Sequence, residues 1–144
     1  MPSAADHPAL VAVGRLRRLA DALATAEDAD TQWVARALQR YLAAPDQLEL
    51  DQALGLRSGR PWWRIERYEA RDALLREIAK GLAGKTHAKA NTLQQSLRRY
   101  GASAWPRDRV YKQPTAVNTL LFQIYTLDPN PPTGIRQLTE IIGG

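Results

Sequence analysis

Apolar positions recur along this chain at helical spacing. After Pro8, which suits a helix's first turn because a missing N–H costs nothing there, Leu10, Val13, Leu16, Leu19 or Ala20 and Leu23 predict a helix over about 8–26. A second, over about 31–44, places Trp33 or Val34, Ala37, Leu38, Tyr41 and Leu42 along one side, with Asp30 or Thr31 as its cap and Pro45 as its stop. The two predict an antiparallel helical hairpin. Leu48, Leu50, Leu54 and Leu56 fit a short helix ended by Gly55, and Ser58, Gly59 and Pro61 fit a turn.

Pro61 then opens PWWRIERYEARDALLREIAKGLAG, a long helix with Ile65, Tyr68, Leu75, Ile78 and Leu82 on its core side and Gly84 just past its end. Ala90, Leu93, Leu97 and Tyr100 predict another helix, capped by Thr86 and closed by Gly101. The segment punctuated by Pro106 and Pro114 reads as a connector with room for one helical turn. In TAVNTLLFQIYTL, opened by Thr115, the expected inward set is Val117, Leu120, Leu121, Ile124 and Leu127; the alternation of FQIYT makes a strand the rival reading. The prolines of DPNPP forbid continuation, and a last helix from Thr133 presents Ile135, Leu138, Ile141 and Ile142. Six or seven helices without a convincing strand predict an all-α bundle, an N-terminal hairpin packed on a basic helical lobe. One domain is expected at 144 residues, with possible sub-lobes at 1–56 and 57–144.

Charge changes the picture more than composition does. Residues 57–112 hold fourteen of the twenty Lys and Arg side chains and five acids, a balance of +9, against −3 for 1–56 and −1 for the last 32. A dense positive segment points to a polyanionic partner. Arg57 begins it. Arg60, Arg64, Arg67 and Arg71 follow i, i+4, i+7, i+11 spacing, a ridge about 16 Å long on a helix, and no acid stands three or four positions from any of them. The competing expectation is that acids of the first 56 residues dock on this ridge. Of the adjacent Trp62 and Trp63, one is expected in the core and the other at the edge, where an indole can stack on a base or a partner surface. Lys85, Lys89, Asn91, Gln94, Gln95, Arg98 and Arg99 lie away from the leucines of the next helix, and Asn, Gln and Arg carry the paired groups that match base edges.

Residues 73–100, ALLREIAKGLAGKTHAKANTLQQSLRRY, resemble the helix-turn-helix class, which implies a second helix in the major groove. They depart from it in a turn two or three residues too long and in Lys89 or Thr92 where a tight unit wants apolar side chains. The wider run from RDALLREIA to LRRYGASAWPRDR is similar to short proteins of Gram-negative bacteria, some on mobile elements; that implies a bacterial cytoplasmic setting.

Catalytic and metal signatures are missing from the letters. Cysteine is absent, which excludes disulfides and thiolate chemistry. His7 and His87 lie far apart with no ligand pattern around them, and neither Ser58 nor Ser103 sits in a nucleophile motif. GLAGKT lacks the first glycine of a phosphate loop and follows a helix rather than a strand. The N-terminal run has its arginines inside and after the apolar stretch, the reverse of a secretory signal, and no apolar run reaches the roughly 18–20 residues of a membrane span. The expectation is therefore a cytoplasmic, non-enzymatic protein without cofactor or metal that binds nucleic acid, DNA ahead of RNA. The alternative is an interaction module, such as an inhibitor or adaptor from a mobile element, docking its basic face on an acidic protein. A homodimer through Leu120, Phe122, Ile124 and Tyr125 is a third possibility.

Overall fold

The computed structural model describes residues 7–144, with the backbone alone for Ser58; Met1–Asp6, which open the N-terminal run weighed above as a leader, lie outside the described residues. The all-α expectation holds. The described residues form eight α-helices, α1 (Pro8–Leu23), α2 (Ala29–Ala43), α3 (Leu50–Ala53), α4 (Trp62–Lys80), α5 (Thr86–Ser103), α6 (Trp105–Tyr111), α7 (Thr119–Leu127) and α8 (Ile135–Gly143). Two-residue strands, β1 (Arg57–Ser58) and β2 (Arg60–Pro61), pair antiparallel around Gly59, whose φ of 67° suits glycine in so tight a turn. The chain divides into two compact units, Met1–Trp62 and Trp63–Gly144, so the division falls six residues after the sub-lobe boundary suggested by charge.

In the first unit α1 and α2 pack side by side through small residues. Ala20, Ala35 and Ala37 are buried with Leu38, and Ala53 of α3 is buried as well. Trp33 and Leu19 face solvent, leaving Val34 and Ala20 as the packed choices. α2 starts earlier than its periodicity suggests, because Asp28 rather than Asp30 or Thr31 is the cap: its Oδ1 accepts from the Thr31 N–H at 2.8 Å. Hydrogen bonds from the Thr31 side chain and N–H hold the Asp28 carboxyl below its ordinary value. α3 closes with Gly55 at a φ of 69°, as expected of that glycine.

The second unit is built on α5. Ala90, Leu93, Leu97 and Tyr100 form its buried side and meet Leu75 of α4, Ile124 and Tyr125 of α7, and Leu138 of α8. Leu74, Ile78, Leu82, Trp105, Phe122 and the isoleucines of α8 pack around that cluster. α7 is a helix, which removes the strand alternative. A single 3-10 turn ahead of it, Ala116–Asn118, leaves Val117 outward, against the expected inward set, and α7 turns Tyr125 inward, which was unforeseen. The face proposed for a homodimer is spent inside the unit: Ile124 and Tyr125 are buried, and Phe122 tilts against Trp105 with ring centroids 6.0 Å apart.

Gly101 does not close α5; the helix continues to Ser103, with Lys85 rather than Thr86 at its other end. The glycine serves a close approach. The Tyr125 hydroxyl donates to the Leu97 carbonyl at 2.8 Å, and a Cβ at position 101 would run into that hydroxyl and lie 2.9 Å from the ring carbon bearing it. The connector expected to hold one turn is the two-turn α6, pinned by Asp108, which is fully buried and accepts from the Tyr100 hydroxyl at 3.0 Å and from Arg107. Burial, and then this carboxylate, push the Tyr100 pKa up.

Gly101→Ala should cost about 1–3 kcal/mol in chemical denaturation. Tyr125→Phe, which withdraws the nearest colliding atom, should make the double variant less destabilised than the sum of the singles. On the acid side, the depressed Asp28 carboxyl stabilises the fold above its ordinary value of 3.8, and that contribution is lost as pH falls through the lower folded value. Asp28→Asn should therefore flatten the acid limb of a stability–pH profile.

Candidate nucleic-acid interface

Helical register explains what happens to the arginine ridge. Arg64, Arg67 and Arg71 share a side of α4 with Leu74, Leu75 and Ile78, so the arginine side is the same one that faces the core one turn later. Arg71 stands where the helix meets the core and is 7 % exposed. Its Nη1 lies 2.6 Å from Asp128 Oδ2, its Nε donates to Asp72 Oδ1 at 2.8 Å, and its guanidinium covers the Tyr68 ring at 4.5 Å. Burial alone would lower the Arg71 pKa, but the hydrogen bonds to Asp128 and Asp72 outweigh it and raise it. A polar cation on a buried side needs such partners. Arg71 is thus a structural residue and leaves the predicted interface.

Two more of the predicted cations change role. Arg60 belongs to β2 and not to the helix, so the four arginines do not form one helical ridge. Arg57 donates to both Glu49 and Asp51, with the Asp51 contact at 3.0 Å, and Glu49 is the larger cause of its raised pKa. Acids of the first 56 residues therefore do neutralise one arginine, as the competing expectation held, but at Arg57 and within the first unit.

Arg64 and Arg67 remain available. Both are exposed, and among the described residues neither has a carboxylate partner. Their guanidiniums lie 5.4 and 5.8 Å from the Trp63 ring centre. From Trp62 to Arg67 every residue of α4 is exposed, including Trp63 at 43 % and Ile65 at 39 %; neither tryptophan is a core residue, and Ile65 is not on the core side as expected.

The helix that follows carries the second set of candidates. With Ala90, Leu93 and Leu97 inward, helical geometry turns Asn91, Gln95 and Arg98 outward, with Arg99 beside them. Lys85, Gln95, Arg98 and Arg99 are exposed, while Lys89 and Asn91 are half-buried. Gln94 is occupied, its Nε2 donating to the Thr133 carbonyl at 2.5 Å. Between Glu77 and Asp128 the chain carries one acidic side chain, Asp108, and that one is fully buried. Eight cations occupy the same interval. Lys80 is bonded to Glu77 and Arg107 to Asp108; among the described residues the other six, Lys85, Lys89, Arg98, Arg99, Arg109 and Lys112, have no ion pair. Arg109 and Lys112 were missed as candidates, although this long interval with a single acid is visible in the letters.

Beside Arg99 lies an open groove of about 750 Å³, floored by Ile78, Leu82, Leu120 and Leu121. Five residues separate α4 from α5, more than the tight turn of a helix-turn-helix unit allows. Among the described residues no three His, Asp or Glu side chains converge as metal ligands, and no helix is long and apolar enough to cross a membrane. No protein family, curated protein or solved structure matches the chain.

Asp128→Ala should lower stability by about 1–3 kcal/mol, less than complete loss of a buried pair because Asp72 still holds Arg71. Replacing Arg71 by Met in that background should recover most of the loss, as read by chemical denaturation.

Proposed function

We propose that this protein is a cytoplasmic, non-enzymatic nucleic-acid-binding module. The observation that carries the reading is the surface of residues 78–127: several unpaired cations, with the sole carboxylate of the interval buried. An ordinary solvated face interleaves signs. Here α5 carries no acid to offset the mutual repulsion of its cations, and an external polyanion would. Lys85 at the head of α5, Lys89, Arg98 and Arg99 on it, and Arg64 and Arg67 on α4 would neutralise phosphates and release their counterions, giving most of the affinity. Asn91 and Gln95 beside Arg98 would supply any base preference. Arg57 and Arg71, already paired with carboxylates, would add little.

The second reading, docking on an acidic protein, is favoured by the apolar groove beside Arg99, since a protein partner could fill it and a phosphate backbone could not. Recovery of an acidic protein after nuclease treatment would support it. Nucleic acid co-purifying with the protein and stripped by heparin would support the first.

If about five phosphates are engaged, log K should fall with log salt at a slope of about −4 to −5 on duplex and about −3 to −4 on a single strand. Arg98→Glu with Arg99→Glu should weaken binding at least about tenfold and flatten the slope by about two, whereas Arg57→Ala should leave both unchanged. Fluorescence anisotropy at two or more salt concentrations measures all of this, and binding indifferent to salt would dispose of the reading.

A further inference from the structure

The exposed start of α4 adds an element that phosphate neutralisation does not use. Ile65, three positions on, neighbours Trp62, but Trp63 is rotated about 100° from Trp62 and Glu66 and Glu69 interrupt the Trp62 side, so no apolar stripe of the kind that insertion into a membrane surface requires is formed. Trp62 shares its side with Glu66 and Glu69, and all three are exposed. Trp63 stands instead beside two cations: the guanidiniums of Arg64 and Arg67 lie 5.4 and 5.8 Å from its ring centre, neither is paired with a carboxylate among the described residues, and the indole stays 43 % exposed. Cβ atoms three positions apart on a helix are about 5–6 Å from each other, so both guanidiniums reach one indole within a short span. None of this builds the core: the eight-residue buried cluster of the second unit draws nothing from 62–70.

An indole flanked by cations suits a nucleotide whose base is free to lie on the ring while its phosphates meet the guanidiniums. In a duplex those base faces are already stacked on their neighbours and closed to a side chain on a helix surface. We propose that the preferred ligand is single-stranded nucleic acid, with Trp63 as the stacking surface for an unpaired base and Arg64 and Arg67 as the holders of its adjacent phosphates. This rests on the nucleic-acid reading above and narrows it to one class of strand.

The test titrates the full chain with an oligo-thymidylate of about 15 nucleotides, a duplex of the same length and an abasic strand of the same length, following anisotropy and tryptophan emission at two salt concentrations. Tighter binding of oligo-thymidylate than of duplex, with quenched emission, is expected. Trp63→Ala should lower oligo-thymidylate affinity about tenfold and remove most of the quenching, with duplex and abasic binding unchanged. Trp63→Phe should retain most of the affinity, and Trp62→Ala, altered on the side that carries Glu66 and Glu69, should behave as wild type. Equal or tighter binding of duplex, or wild-type affinity in Trp63→Ala, overturns the stacking proposal while leaving the nucleic-acid reading intact, provided binding still falls with salt. Failure of all three probes to bind in a salt-dependent way overturns both.

Discussion

The second unit depends on burying one side of α5. Leu93 and Leu97 are wholly removed from water there, each worth about 1.5–3 kcal/mol in transfer terms, and Leu75, Ile124 and Leu138 reach them from three other helices. Once that side is fixed inward, Gln95 and Arg98 are left to face solvent, with Asn91 half-buried beside them. The glycine at 101 belongs to the same constraint, since it lets the Tyr125 ring close over the helix and bond to the Leu97 carbonyl. Packing and surface charge are two results of one orientation.

α4 shows how a single helical side can serve two purposes. Over its second half that side carries Leu74, Leu75 and Ile78 and packs; over its first half it carries Arg64 and Arg67 and does not. Arg71 lies at the changeover, where its stem can be buried and its charge must be answered, and Asp72 and Asp128 answer it. Desolvating a cation costs far more than one hydrogen bond returns, which is why two carboxylates and the Tyr68 ring gather around it.

Much of this was legible from periodicity. Most helices of both units, the glycine turn at 55 and the buried stripe of α5 follow from spacing and turn chemistry alone, whereas α6 reads as a connector and α4 stops at Lys80, short of the Gly84 expected just past its end. What escaped depends on residues distant in sequence. Asp128 is 57 positions from Arg71, and a search confined to neighbours three and four away on a helix also passes over Asp72, one position on. Gly101 looked like a terminator because a helix-ending glycine and a glycine beneath a tyrosine read alike until Tyr125 is placed over it. Of the predicted interface, Lys85, Gln95, Arg98 and Arg99 kept their exposed places because these follow from the leucine stripe, whereas Lys89 and Asn91 are half-buried. The arginine set did not survive whole, because i, i+4 spacing reveals a shared side and not whether that side faces water.

A helix that leaves its first turns outside any packed layer also separates two kinds of evolutionary pressure. Residues 62 to 67 contribute nothing to the buried cluster of the second unit, so selection there acts on recognition with less penalty in foldability than in the core. A designer could randomise those positions to retarget the protein while Arg71 and its carboxylates keep the scaffold intact.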